Sequence, residues 1–206
     1  MADSMEIAGK GRIDFADMLD GLSAEQLATE TLCPGWTPVE VGAHLVSFIE
    51  MSLPTMMLSM AKAGFHVDKA WKANATKYAA QGPAEISRKL RAHATQPAPM
   101  KSFPAGLTAN DVAVHTQDVR RGLGLDGELD PAVLRMALDF CTIDPKGKIH
   151  VPPKDIAGLR LEATDMDWSW GEGDLVSGPA EAILMSINRR DARSELDGPG
   201  VSKLPR

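Results

Sequence analysis

Residues 32 to 50 read Leu-Cys-Pro-Gly-Trp-Thr-Pro-Val-Glu-Val-Gly-Ala-His-Leu-Val-Ser-Phe-Ile-Glu, and this stretch predicts a helix with a well-marked beginning. Thr37 is placed as the N-cap, and Pro38 occupies the first helical position. Glu40 lies three residues after the cap, where its side chain can accept a bond from the backbone N–H of the cap residue. The chain therefore enters this helix at a position that the sequence defines.

His44 lies on or beside the apolar face of that helix. Val41, Leu45 and Phe48 recur with it at spacings of three and four residues, so its imidazole is expected to face inward. An inward-facing histidine needs a partner. The side chain is either a hydrogen-bonded core residue or a metal ligand.

A second stretch, residues 108 to 124, reads Thr-Ala-Asn-Asp-Val-Ala-Val-His-Thr-Gln-Asp-Val-Arg-Arg-Gly-Leu-Gly and predicts a helix with Thr108 as its N-cap. Asp111 and His115 are four residues apart, which places their side chains about 5–6 Å apart on one face. With His44, one carboxylate and two imidazoles could hold a divalent ion and leave a fourth position open, as in catalytic zinc sites. Capping and the helix dipole would also explain Asp111, and helix packing would explain His115.

Three segments together resemble one known family. They are residues 31 to 45, residues 111 to 124, and residues 178 to 185, Gly-Pro-Ala-Glu-Ala-Ile-Leu-Met. The chain is similar here to the mycothiol-dependent maleylpyruvate isomerases, and the segments occur in the order of that family. The resemblance extends over most of the chain and is weakest from about residue 60 to 100.

The resemblance implies a mainly α fold: a DinB-like four-helix bundle with a small C-terminal α/β unit. It also implies a divalent metal, usually zinc, held by His44, Asp111 and His115. Asp111 stands where the best-known isomerases have Glu, so Asp118, further along the same helix, is the alternative third ligand. Arg190, which follows the Gly-Pro-Ala-Glu helix, corresponds to an arginine that could bind a substrate carboxylate.

The activity that the resemblance implies uses mycothiol, a small-molecule thiol, as cofactor and a small electrophile as substrate. Zinc would bind and deprotonate the thiol, and the enzyme would be an isomerase or a thiol S-transferase. The alternative is a non-catalytic helical bundle that binds a metal or a small ligand. A purely structural bundle is a third possibility.

Bulk properties exclude other classes of function. The chain has 206 residues, a net charge of −6 and a pI near 5.4, which argue against nucleic acid as a partner. Acidic residues begin at position 3 and no long apolar run follows, so neither a signal peptide nor a membrane span is expected. We expect a cytoplasmic protein.

The two cysteines, Cys33 and Cys141, are too few and too isolated for a disulfide framework or a cysteine-based metal site. Cys33 lies in the loop before the His44 helix. It is a catalytic thiol or, more simply, a small residue packed in the tight Cys-Pro-Gly-Trp turn.

The rest of the chain predicts helices over most of residues 1 to 145 and an α+β subdomain over 146 to 206. Pro54 is expected to kink or end the His44 helix, and the proline-rich residues 96 to 106 are expected to form a loop. Alternation of apolar and polar residues from Leu159, and again at Trp168 and Trp170, indicates strands. Residues 171 to 178 are predicted as a turn, followed by a last helix that begins at Pro179.

Overall fold

The computed structural model describes residues 3–97 and 103–205. It divides into two compact units, Met1–Glu128 and Leu129–Arg206. The sequence placed the boundary after residue 145 instead. The difference is one helix, Pro131–Thr142, which falls within the second unit.

In the described residues of the first unit, all regular structure is helical. Its helices are α1 (Ser4–Gly21), α2 (Ala24–Ala28), α3 (Pro38–Glu50), α4 (Leu53–Lys62), α5 (Val67–Ala79), α6 (Pro83–Ala92) and α7 (Ala105–Leu123). Helix α1 packs on α6 and α7, while α3 packs on α5 and α6. Large side chains with less than 2% exposure fill the space between them: Phe15, Leu19, Ile49, Ile86 and Leu90. The predicted helical bundle is confirmed.

Helix α3 begins where the sequence predicts. The Thr37 hydroxyl accepts from the backbone N–H of Glu40, and the Glu40 carboxylate accepts from the N–H of Thr37, so the capping box is complete. The helix ends at Glu50. A new helix, α4, then begins after the N-cap Ser52 with Pro54 in its first turn, so the proline starts a helix and introduces no kink.

Helix α7 begins four residues earlier than the sequence predicts. Its N-cap is Pro104 and its first residue is Ala105, whereas Thr108 lies inside the helix. Asp111 is therefore the seventh helical residue, beyond the first turn where capping and the helix dipole act. Capping does not account for Asp111. Of the loop expected over residues 96 to 106, residues 98 to 102 lie outside the described part of the chain.

The second unit combines helices with one small sheet. It contains α8 (Pro131–Thr142), α9 (Pro153–Ile156), β1 (Leu159–Ala163), β2 (Ser169–Trp170), β3 (Asp174–Gly178) and α10 (Ala180–Ile187), with 3-10 turns at Pro145–Ile149, Arg193–Glu195 and Pro199–Lys203. The small α/β unit expected at the C-terminal end is thus present.

Strand β1 is central in this sheet. It pairs antiparallel with β2, where Leu161 faces Trp170, and parallel with β3, where Leu161 faces Val176. Leu159 and Leu161 are buried while Arg160 is exposed, as the alternation predicts. The prediction of a simple turn over residues 171 to 178 was wrong, because Asp174–Gly178 forms strand β3. Its hydrogen bonds are made to β1, and this parallel pairing leaves no local signal in the sequence of β3 itself.

None of the helices in the described residues is long and apolar enough to cross a bilayer.

Candidate metal centre

Helix α3 is fixed at its beginning by bonds within the helix and to a neighbouring helix. Glu40 completes the capping box and also binds Lys72 of α5, with 2.7 Å between its Oε1 and the lysine Nζ. Hydrogen bonds from Lys72, Thr37 and Thr76 outweigh the effect of burial and lower the pKa of Glu40. Glu40 lies about one helical turn before His44 on α3. Its bond to Lys72 therefore links α3 to α5 close to His44.

His44, Asp111 and His115 converge in the interior of the first unit. The Nε2 atom of His44 lies 3.7 Å from Oδ1 of Asp111, and Nε2 of His115 lies 3.6 Å from the same oxygen. One donor atom from each residue falls within 4.8 Å of the others. Two helices therefore bring together the three residues that the sequence singled out.

The residue types and distances of this cluster fit a divalent ion. Tetrahedral zinc with bonds of about 2.0–2.1 Å keeps its ligand atoms roughly 3.4 Å apart, close to the two measured separations. Two imidazoles and one carboxylate form a ligand set of catalytic type, since a fourth position stays open. The metal-ligand role of His44, Asp111 and His115 is supported by this geometry and stays a prediction.

Asp118 contacts the other nitrogen of His115. Nδ1–H of His115 donates to Oδ2 of Asp118 across 2.9 Å, and the Asp118 side chain is fully buried. Metal-ligating histidines commonly donate their second N–H to such a carboxylate, which fixes the tautomer and the ring orientation. Asp118, the predicted alternative ligand, lies on the Nδ1 side of the ring, whereas Asp111 lies on the Nε2 side.

Cys33, His115 and Asp118 form a second cluster, on the Nδ1 side of the His115 ring. The sequence did not predict this contact of Cys33. Its thiol donates to Oδ2 of Asp118 across 3.0 Å, and its Sγ lies 3.7 Å from Nδ1 of His115. Cys33, His115 and Asp118 also place ligand atoms within 4.8 Å of one another. The contact joins a loop residue to a helix more than 80 positions later, and no spacing rule detects such a pair.

The acidic neighbours change the ionisation of His115. Burial on its own lowers the pKa of this imidazole, but hydrogen bonds with Asp118 and Cys33 and the charge of Asp111 outweigh it and raise the pKa to about 10. Without a metal, His115 is therefore protonated on both ring nitrogens and positively charged at neutral pH. A metal at Nε2 has to displace that proton.

Aromatic rings enclose His44. Trp36, Phe48 and Trp71 meet its ring edge-on, with centroids 5.5, 5.2 and 5.8 Å away. His44 is only 6% exposed, and its Nδ1 is buried without a hydrogen-bond partner in the described part of the chain. The apolar wall leaves Nε2, which faces Asp111, as the nitrogen available to a ligand.

Phe48 lines two small pockets in the described part of the chain. One is apolar and is lined among others by Met51, Met56 and Trp71. The other is lined by Arg12 and Asp111 as well as by apolar groups. Asp111 thus borders a small pocket that has both polar and apolar lining.

Arg190 lies in the second unit, just after α10. Its Nη1 donates to the carbonyl oxygen of Asn188, and Arg189 before it adopts a left-handed backbone with φ of 66°. The substrate-binding role of Arg190 stays a prediction. Cys141, also in this unit, is buried, and burial raises the pKa of its thiol to about 12, so it is an unreactive core residue.

Comparison with known proteins agrees with this description. Residues 9–98 match the family model described as the mycothiol maleylpyruvate isomerase N-terminal domain, a segment that includes His44 but not Asp111 or His115. No curated protein sequence gives a significant match to the chain.

Two solved structures share the fold. They are the crystal structure of the mycothiol-dependent maleylpyruvate isomerase and that of a point mutant of it. Each aligns with a TM-score of 0.61 at 16% sequence identity, over 98% of this chain and 95% of the other. The chain is thus similar to the mycothiol maleylpyruvate isomerase N-terminal domain over residues 9–98, and it shares the fold of the solved isomerase structures.

Proposed function

We propose that this chain is a zinc-dependent enzyme that activates a low-molecular-weight thiol, mycothiol, for reaction with a small electrophile. The reaction is an isomerisation of the maleylpyruvate type or a thiol S-transfer. The observation that carries the proposal is the convergence of His44 Nε2, Asp111 Oδ1 and His115 Nε2. The family of residues 9–98 and the named activity of the structural neighbours support the thiol and the reaction class.

The ligand set favours an anionic fourth ligand. His44 and His115 bind as neutral imidazoles and Asp111 contributes one negative charge, so a divalent ion keeps a net positive charge toward its open position. Bound zinc lowers the pKa of a coordinated thiol, so that the sulfur is a thiolate at neutral pH.

The surrounding side chains orient the ligands and exclude water. Asp118 holds the proton of His115 on Nδ1 and leaves the Nε2 lone pair directed toward Asp111. Trp36, Phe48 and Trp71 cover His44 with apolar surface. A low-dielectric wall of this kind strengthens the interactions of the charged groups inside it.

The thiolate then acts as the nucleophile. In an isomerisation, sulfur adds to one carbon of a conjugated cis double bond, the former double bond rotates as a single bond, and loss of the same sulfur gives the trans alkene and returns the thiol. In an S-transfer, the carbon–sulfur bond stays and a proton from the medium completes the adduct. Arg190 is the predicted partner of a substrate carboxylate in either reaction.

Metal content tests the first half of the proposal. Elemental mass spectrometry should find about one zinc per chain in the wild type and in His66→Ala, an exposed histidine that serves as control. We expect His44→Ala, Asp111→Ala and His115→Ala to lose the metal while their circular dichroism still shows a folded helical protein. Failure of the wild type to bind a divalent metal under any loading condition would overturn the proposal.

Turnover tests the second half. Zinc-loaded protein should consume mycothiol with an activated alkene, or convert a cis alkene to the trans isomer with mycothiol unchanged in amount. The three ligand variants should lose this activity. Stoichiometric zinc without acceleration for any thiol and electrophile pair would contradict an enzyme, and would favour a metal-binding bundle without catalysis.

A further inference from the structure

The loop before α3 holds a thiol against α7 in a fixed position. The backbone N–H of Leu32 donates to the carbonyl oxygen of Asp118 at 3.0 Å, and the N–H of Trp36 donates to the carbonyl oxygen of Cys33 and closes the turn. Gly122 of α7 permits this approach, because a Cβ there would lie 2.8 Å from the backbone nitrogen of Leu32. Backbone contacts on both sides of Cys33 therefore fix its position beside α7.

Cys33, His115 and Asp118 form a compact set of donor atoms. Sγ of Cys33 lies 3.0 Å from Oδ2 of Asp118 and 3.7 Å from Nδ1 of His115, and Nδ1 lies 2.9 Å from the same Oδ2. Around a tetrahedral zinc ion, bonds of about 2.0–2.3 Å place such ligand atoms roughly 3.3–3.6 Å apart. The two shorter contacts thus have to lengthen by only about half an ångström to admit an ion.

The residue types of this set favour a soft divalent ion. Thiolate ligands select soft ions, whereas the set of His44, Asp111 and His115 contains no sulfur. The Asp118 side chain is fully buried and Cys33 is partly exposed, so an ion can enter past the thiol toward a buried carboxylate. With Cys33 as a thiolate and His115 neutral, the two negative charges neutralise a divalent ion.

We propose that Cys33, Nδ1 of His115 and Asp118 form a second metal site, which binds a soft divalent ion in place of the hydrogen bonds that these groups make to one another. Binding releases the proton of the Cys33 thiol and the proton on Nδ1 of His115 to the solvent. The site goes beyond the proposed function, because neither a thiol cofactor nor an electrophile takes part in it.

An ion in the second metal site competes with an ion bound by His44, Asp111 and His115, because both sites need the same imidazole. A neutral imidazole has one lone pair, so a ring that binds through Nδ1 keeps its proton on Nε2, the nitrogen near Asp111. The set with His44 then has two ligands in place of three. A soft ion in the second site should therefore release zinc from the other one.

A cadmium titration of the metal-free protein, followed by ultraviolet absorption, tests the second site. Cadmium is a soft divalent ion, and its bond to a thiolate gives a charge-transfer band that nitrogen and oxygen ligands do not give. We expect this band to saturate at about one cadmium per chain in the wild type. Cys33→Ser should lose the band, and Cys141→Ala, which removes the other cysteine, should keep it. Absence of the band in the wild type, or a band that depends on Cys141 instead of Cys33, would overturn the proposal.

Two matched aspartate variants decide the question if Cys33→Ser does not fold. Asp118→Asn keeps the thiol and should weaken cadmium binding by about tenfold or more. Asp111→Asn should bind cadmium with the affinity and the band of the wild type, because Asp111 lies on the Nε2 side of His115. Circular dichroism checks that both are folded. Equal affinities in the two variants, or the reverse order, would contradict the second site.

Elemental mass spectrometry of the zinc-loaded protein measures the competition. One equivalent of cadmium should release most of the zinc from the wild type and little from Cys33→Ser. A wild type that shows the thiolate band and keeps its zinc would contradict the competition for His115. A protein that shows the band but never binds zinc would instead refute the proposed function alone.

Discussion

His115 links two clusters, because its two ring nitrogens face different acidic residues. Nε2 lies near Asp111 and His44, and Nδ1 donates to Asp118, which also accepts from Cys33. A proton and a metal compete for Nε2, while Asp118 keeps the other proton in place. This competition makes metal binding depend on pH.

Zinc affinity should rise with pH until His115 loses its proton. Since its pKa is raised to about 10, we expect the logarithm of the association constant to rise by about one per pH unit between about pH 7 and 9.5. Asp118→Asn removes the main acceptor, lowers the pKa of His115 toward its ordinary value and should flatten this slope. Competition with a chromophoric chelator measures it, and equal slopes in both proteins would contradict the role of Asp118.

The same shift gives the metal-free protein a defined pH dependence of stability. The pKa of His115 is higher in the folded than in the unfolded chain, so its contribution is fully present below about pH 6.5 and is lost as pH rises toward about 10. The free energy of unfolding from urea titrations should fall over that interval in wild type and less in Asp118→Asn.

The candidate ligands could be predicted from sequence because their spacing is local. Asp111 and His115 share a helix face, and His44 follows from the apolar periodicity of its own helix. The partners of His115 on its Nδ1 side could not all be found this way. Cys33 and Arg12 approach α7 only after the chain has folded, and neither residue carries a local pattern that indicates this contact.

At the scale of the element, the N-cap of α3 should contribute more to the free energy of unfolding than the N-cap of the short surface helix α2. Thr37→Ala removes the cap of a helix that has nine buried residues, and should lower the free energy of unfolding by about 1 kcal/mol. Ser23→Ala removes an equally complete capping box from α2, which has no buried residue, and should cost clearly less. Chemical denaturation measures the free energy of unfolding of both variants. Equal losses in the two would contradict a larger contribution from the N-cap of α3.

Gly42 marks the closest approach of α3 to its neighbours. A Cβ there would lie 2.9 Å from both Ile86 Cγ2 and Phe15 Cε1, two fully buried side chains. Gly42→Ala should therefore destabilise the protein by about 1–3 kcal/mol despite the higher helix propensity of alanine. Gly21→Ala, where a Cβ meets nothing within 4 Å, should be neutral or stabilising by up to about 1 kcal/mol. Comparable urea midpoints for the two variants would contradict this packing.

Helix boundaries could be predicted where side chains form the caps. Thr37 begins α3 at the predicted residue, because its hydroxyl accepts from the first turn. Ser23 and Asp130 cap α2 and α8 through their side chains in the same way. The N-cap of α7 was predicted at Thr108 and lies at Pro104, which has no side chain that can accept such a bond. Strand β3 was missed since its partner β1 lies outside its own sequence window.

At the scale of the whole molecule, the two compact units carry different parts of the proposed activity. All three candidate metal ligands lie in the first unit and Arg190 lies in the second. Metal binding and substrate binding should therefore respond to different substitutions. This division allows zinc to be used as a probe of the first unit within the intact chain.

Zinc should raise the thermal stability of the folded chain in proportion to its affinity. At a free concentration one hundred times the dissociation constant, a ligand that binds only the folded state adds about 2.7 kcal/mol. For a chain of this size, that corresponds to a rise in melting temperature of roughly 5–10 °C. Differential scanning calorimetry with and without zinc measures the shift.

The zinc-dependent rise in melting temperature should distinguish variants of the candidate ligands from a variant of Arg190. His44→Ala and His115→Ala should abolish the zinc-dependent rise, because each removes one of three donors. Arg190→Met should retain the full rise and instead raise the KM for an unsaturated carboxylate, since its predicted role concerns the substrate and not the metal. A zinc-dependent rise that persists in both histidine variants would place the metal elsewhere, and a rise lost in Arg190→Met would mean that zinc binding depends on the second unit.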